Sequence, residues 1–167
     1  VDAFVRRYNH QGEIMWTRQF GSASGDTAQG VALTGTAVYV VGDTTGTLPG
    51  QTSPGSQDAF IRKYTLGGTL RWTRQFGTPG SDIAYDVAVD QAGSIYIAGA
   101  VGLTQTGGGD VFLSRHGPNG DELWRRQFGS AENYDWANAV ATDQMGGIYI
   151  AGRITTNSRP DEFSQCD

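Results

Sequence analysis

Apolar residues in this chain come in short runs, each closed by glycine, asparagine, aspartate or proline, and none keeps a helical period. Residues 83–89 read IAYDVAV, 94–101 SIYIAGAV and 110–116 DVFLSRH; a fourth run passes through Leu123, Trp124 and Phe128. Short runs rich in β-branched and aromatic residues, bounded by turn formers, predict strands. The turn at 117–120, Gly-Pro-Asn-Gly, predicts a tight hairpin, because asparagine and glycine both tolerate positive φ. Gln11-Gly12 and Gly67-Gly68 place glycine at the same point of earlier copies.

Earlier and later segments repeat this four-strand frame. WTRQFG stands at 16–21 and 72–77, and WRRQFG at 124–129, so the tryptophans are 56 and 52 residues apart. First strands are predicted at 29–34, 83–89 and 136–142, and second strands at 38–43, 94–101 and 148–154. Third strands are predicted at 2–8, 58–64 and 110–116, with Asp161-Glu162-Phe163 starting another. A repeat of about this length with four strands per unit predicts an all-β propeller of four-stranded antiparallel blades. GVAL, DVAV and IYIAG are apolar on consecutive residues, as expected of strands covered on both faces by neighbouring blades. Trp16, Trp72 and Trp124, with Phe20, Phe76 and Phe128, are then the expected inter-blade core.

The phase of the repeat predicts a single array over 1–163: a half blade at 1–20, full blades at 26–76 and 82–128, and a partial blade at 135–163. An irregular tail at 164–167 follows. About three blades' worth of sequence falls short of the 4–8 blades of a closed ring. The opening in mid-repeat, Val1-Asp2-Ala3-Phe4, points to a partial chain or to self-association through open blade edges.

DAFIRKY at 58–64, LRWTRQFG at 70–77 and DVAVDQAGSIYIAG at 86–99 resemble the SBBP family, bacterial β-propeller repeats named for a seven-bladed propeller. The DAF, QFG and YIAG echoes extend the resemblance over almost the whole chain. It implies a scaffold or binding role in a secreted or surface-attached bacterial protein, and it brings no catalytic residues and no cofactor. The chain departs from a repeated site after the second-strand glycine, where Asp43 is matched by Ala100 and Arg153.

Charge narrows the partners. The net charge is −5, and Lys63 is the lone lysine among 12 basic residues, so the basic excess of a nucleic-acid binder is missing. No apolar run is long enough for a spanning helix, so no membrane insertion is expected. Cys166 is the one cysteine, which excludes an internal disulfide. Arg18, Arg74 and Arg126 recur in register and are expected to stack on neighbouring aromatics or bond carboxylates from the next blade.

Candidate chemistry is sparse. Asp26, Asp82 and Asp135 recur before each first strand; a ring of carboxylates suits a hard cation, whereas single carboxylates at loops more often accept backbone N–H bonds. No metal site is expected. Asp90-Gln91-Ala92-Gly93 and Asp143-Gln144-Met145-Gly146 lack the further acids of a calcium loop and predict reverse turns. His10 and His116 have no repeated nucleophile beside them. Gly107-Gly108-Gly109 opens no helix and carries no phosphate-loop lysine.

Loops before the first strand and after the second vary between copies, and they share one end of the blades. Asn133, Tyr134 and Trp136, with Asp26, Asp82 and Asp135, are the candidate ligand-binding residues at that end. The expectation is a non-enzymatic module presenting a loop-rich face to protein or glycan. A propeller lyase or hydrolase fragment and a calcium-dependent adhesion module are the alternatives.

Overall fold

A computed structural model of the protein describes residues 1–104, 108–130, 133–143 and 145–155. Twelve strands are formed among them, and no helix. In chain order they are β1 (Ala3–Tyr8), β2 (Ile14–Phe20), β3 (Asp26–Leu33), β4 (Ala37–Thr44), β5 (Asp58–Thr65) and β6 (Leu70–Phe76). Then follow β7 (Ser81–Val89), β8 (Ile95–Leu103), β9 (Asp110–His116), β10 (Glu122–Phe128), β11 (Trp136–Thr142) and β12 (Ile148–Arg153).

Neighbours in sequence are neighbours in each sheet, and every named pairing is antiparallel. β3-β4-β5-β6 and β7-β8-β9-β10 form two four-stranded blades, flanked by two-stranded β1-β2 and β11-β12. The all-β propeller-blade reading therefore holds. Asp161-Glu162-Phe163, the tail at 164–167 and Cys166 lie outside the described residues.

Hairpins between third and fourth strands turn on Gly12, Gly68 and Gly120, with φ of +83°, +81° and +85°. A side chain would strain the backbone at these angles. At Gly68 it would also run into the Trp16 ring, 2.8 Å from the place of a Cβ; at Gly120 the Trp72 ring lies 2.9 Å away.

Second strands are the most deeply covered. β4 is buried along its whole length, and β8 from Ile95 to Val101. Both faces of these strands meet a neighbouring sheet, so consecutive apolar residues all find cover. β3 departs from that expectation. It alternates, with Val31 56% and Leu33 65% exposed. On that side β3 faces only the two-stranded β1-β2, which leaves the outward residues uncovered.

Each first strand carries a bulge. Register shifts fall between Ala28 and Gly30, Ala84 and Asp86, and Ala137 and Ala139. The extra residues are Gln29, Tyr85 and Asn138. The bulge also explains why β3 begins three residues before the strand predicted from the apolar run: Asp26–Ala28 pair with Thr44–Gly42 on the far side of it.

Successive blades meet through a repeated set of contacts. Phe20 packs edge-on against Phe60 at 5.5 Å, and Phe76 against Phe112 at 6.3 Å. Trp16 donates Nε1–H to the Leu66 carbonyl at 3.0 Å. Arg18 stacks 5.6 Å from the Trp16 ring centre and donates to Gly68 O; Arg74 does the same with Trp72 and Asn119 O. The arginines thus bond carbonyls of the next hairpin. Burying a large apolar side chain stabilises by roughly 1.5–3 kcal/mol, and an aromatic pair adds about 0.5–1.5 kcal/mol.

Candidate functional site

Loops at one end of the blades are held by the three aspartates that precede the first strands. Asp26, Asp82 and Asp135 are all buried. Asp26 accepts from Ser22 N–H at 2.8 Å, Asp82 from Thr78 N–H at 2.7 Å, and Asp135 from Ser130 N–H at 2.5 Å. The second oxygen of Asp82 accepts Gly102 N–H, and that of Asp135 accepts Thr155 N–H. Burial pushes the Asp82 carboxyl above its ordinary range, against the bonds from Thr78 and Gly102 that pull it down.

Each of these residues also ties two blades through its backbone. Asp26 N–H donates to Val1 O, Asp82 N–H to Gln57 O, and Asp135 N–H to Gly109 O. Three aspartates found by their recurrence are thus brought to equivalent joints and not to one another. Among the described residues no three His, Cys, Asp or Glu side chains come together as a metal would require.

The remaining candidates cluster around the last of these joints. Tyr134 is 45% exposed and donates its hydroxyl to Thr104 O at 3.0 Å. Asn133 contacts Thr155 O at 3.4 Å through its amide. Trp136 is half-buried; its indole N–H is taken by Asn138 Oδ1, and Arg153 lies over its ring at 5.2 Å. Tyr134 is therefore the more exposed aromatic of this pair. Gly107 lies outside the described residues.

Other motifs resolve into framework. Asp90 closes its turn through Gly93 N–H to Asp90 O, and its carboxylate accepts Ser94 N–H and the Tyr96 hydroxyl. Asp143 accepts Met145 and Gly147 N–H and the Tyr149 hydroxyl; the first two bonds hold its carboxyl below the usual range. His116 is buried between Ser114 Oγ at 2.9 Å and Gly120 O at 3.3 Å, and burial holds its imidazole below the ordinary value. His10 is exposed in its hairpin turn. Gln144, in the second of the two turns, lies outside the described residues.

One polar group escaped the search for recurring residues. Asp43 is buried at the end of β4 and accepts amide N–H bonds from Gln29 at 3.3 Å and Gln57 at 2.7 Å. Its charge, together with burial, raises the pKa of Tyr85 on the next blade; burial is the larger cause. The visible signal was the mismatch with Ala100 and Arg153, which repeat reasoning sets aside.

With blades, joints and loops defined, the sequence can be compared with known proteins. Residues 71–100 and 123–158 match the model of the SBBP β-propeller repeat. These two segments are similar to SBBP repeats. The two matched segments hold the β7–β8 and β11–β12 pairs, the fourth strands before them and the joints between. A regulatory protein, FlaEY, of Caulobacter vibrioides is 28% identical over 136 residues. That likeness takes in 70% of this chain and 14% of FlaEY, so the chain spans a small part of that relative's length.

Proposed function

We propose that this chain is a non-enzymatic propeller module that binds a protein partner through its loop-rich end, within a larger secreted or cell-surface bacterial protein. One observation carries the reading. The recurring acids hold loops, and Trp16, Arg18, Trp72 and Arg74 meet the next hairpin, whereas the loop-end residues differ from joint to joint. Tyr134 and Asn133 at one joint, and Gln29, Gln57 and Asp43 at another, are the groups free to vary on a fixed frame. The likeness to a regulatory protein favours a protein partner. The 45% exposure of Tyr134 favours a second reading, stacking on a sugar ring.

Affinity capture from the source cells, comparing wild type with Tyr134→Ala and with the opposite-end variant His10→Ala, tests the site. A partner lost with Tyr134→Ala alone supports it; a partner lost only with His10→Ala moves the site to the short-turn end. A glycan array read with the same variants tests the second reading. Turnover of polysaccharide by the purified chain would overturn the non-enzymatic reading, and protease shaving of intact cells tests surface exposure.

A further inference from the structure

We infer that the joint between the two full blades binds a calcium ion through Asp58, Asp82 and the carbonyl oxygens of Thr78 and Gly80. The residues that form this joint lie between Ser53 and Gly102, inside the two complete four-stranded blades and the loops that link them.

Two buried carboxylates meet there. Asp58 and Asp82 are 0% and 2% exposed. The place of a Cβ on Gly77 is 3.0 Å from Asp58 Oδ1 and 2.7 Å from Asp82 Oδ2, so the two carboxylates confront each other across this glycine. Asp58 Oδ2 accepts the Ser53 hydroxyl at 2.6 Å and the Gln75 amide at 2.8 Å. Asp82 accepts Thr78 N–H through Oδ2 and Gly102 N–H through Oδ1. Asp58 Oδ1 is different: it is buried and accepts no hydrogen bond. Among the described residues neither carboxylate joins an ion pair.

A buried carboxylate oxygen without a donor, set beside a second carboxylate, calls for a proton or a cation between them. The other neighbours decide between the two. Around the place of a Cβ on Gly55 the three nearest atoms from outside that turn are all oxygens. They are Asp58 Oδ1 at 3.1 Å and, nearer still, the carbonyls of Thr78 and Gly80. A shared proton needs only the carboxylates, whereas carbonyl dipoles at the same spot add negative potential and favour a cation. Calcium takes six to eight oxygens, carboxylate or carbonyl, in an adaptable shell, with water filling what the protein leaves open; magnesium demands near-ideal octahedral geometry. A set of three acidic side chains is not needed, because carbonyls complete the pair. The following joint makes the contrast. Asp110 Oδ1 and Asp135 Oδ2 flank Gly129 in the same way, at 2.5 and 2.8 Å, but Asp110 is half-buried, so solvent screens that pair.

Isothermal titration of calcium chloride into the chelator-treated chain tests the inference, beside thermal melts in calcium, magnesium or sodium chloride at matched ionic strength. One saturable site is expected. At roughly 50 times the half-saturating calcium concentration the melting temperature is expected to rise by about 5 °C, with little change in the other salts. Amide NMR signals of Gly55, Asp58, Thr78 and Gly80 are expected to shift first. Asp58→Asn keeps the shape and removes the charge, and it is expected to abolish both the heat and the melting response. Asp143→Asn, at an exposed turn, is expected to keep them. No heat with wild type, equal melting shifts in all three salts, amide shifts confined to other segments, or a calcium response that survives in Asp58→Asn would each overturn the inference. Should Asp58→Asn not fold, the wild-type titration and the amide shifts decide it.

Discussion

Phe76 meets Phe112 edge-on, with ring centres 6.3 Å apart and planes at 87°. Phe112 is buried and also faces Gly99, where a Cβ would come within 2.8 Å of its ring. One phenyl therefore joins two blades and packs against its own second strand. Phe112→Ala is expected to cost about 3–5 kcal/mol, the range for emptying a buried phenylalanine site. Urea unfolding monitored by tryptophan fluorescence gives the number, and a loss under 1 kcal/mol would show that the joint does not rest on this ring.

Glycine in the hairpin turns has a second demand besides backbone freedom. Gly93, at φ +84°, faces open space, while Gly120, at φ +85°, faces the Trp72 ring. Gly93→Ala is expected to cost about 1 kcal/mol from strain alone. Gly120→Ala must also displace an indole, so its loss is expected to be the larger. Equal losses in a side-by-side melt would remove the contact from the account.

The three loop aspartates differ in how fully they are bonded. Asp26 Oδ1 is buried with no hydrogen-bond partner, whereas the corresponding oxygens of Asp82 and Asp135 accept Gly102 and Thr155 N–H. An asparagine at 26 keeps the bond to Ser22 and places its NH2 where nothing donates. At 82 or 135 the NH2 faces another N–H, or the Thr78 or Ser130 bond is given up instead. Asp26→Asn is expected within about 0.5 kcal/mol of wild type, and Asp82→Asn and Asp135→Asn to lose about 1–3 kcal/mol. Chemical denaturation at neutral pH ranks them, and a uniform loss would refute the distinction.

His116 carries an acid sensitivity. Burial lowers its imidazole pKa, although the Gly120 carbonyl pulls the other way. The folded state thus favours the neutral ring. Its stability is complete above the ordinary imidazole range and falls as pH drops from about 6.5 toward the folded value. His116→Tyr puts in the residue found at Tyr8 and Tyr64, and it is expected to flatten this part of the pH profile. Urea midpoints measured at about pH 7.5 and pH 5.5 decide it; the same slope in both proteins assigns the sensitivity elsewhere.

Much of the fold was legible because strand existence follows from short apolar runs, and the repeat multiplied that signal. Third strands could be placed closely, since the Asp-Ala-Phe start and the glycine turn bracket them. The bulges were not legible. Gln29, Tyr85 and Asn138 each add one residue to a ladder, and only the pairing shows which residue is extra. Nor could the open face of β3 be seen, because GVAL looks the same whether its neighbour has four strands or two. At the candidate site, recurrence picked out Asp26, Asp82 and Asp135, which belong to the framework. Asp43 stayed hidden because it does not recur.

First strands pack directly on one another, β3 on β7 and β7 on β11, and Val140 N–H even reaches the Asp86 carboxylate across the gap. The supernumerary residue of each strand therefore stands apart from the regular ladder, at the innermost layer. Exchanging Gln29, Tyr85 or Asn138 alters what that layer offers without disturbing any paired position. Such a chain can diversify its lining one unit at a time, with the architecture as an unchanged background.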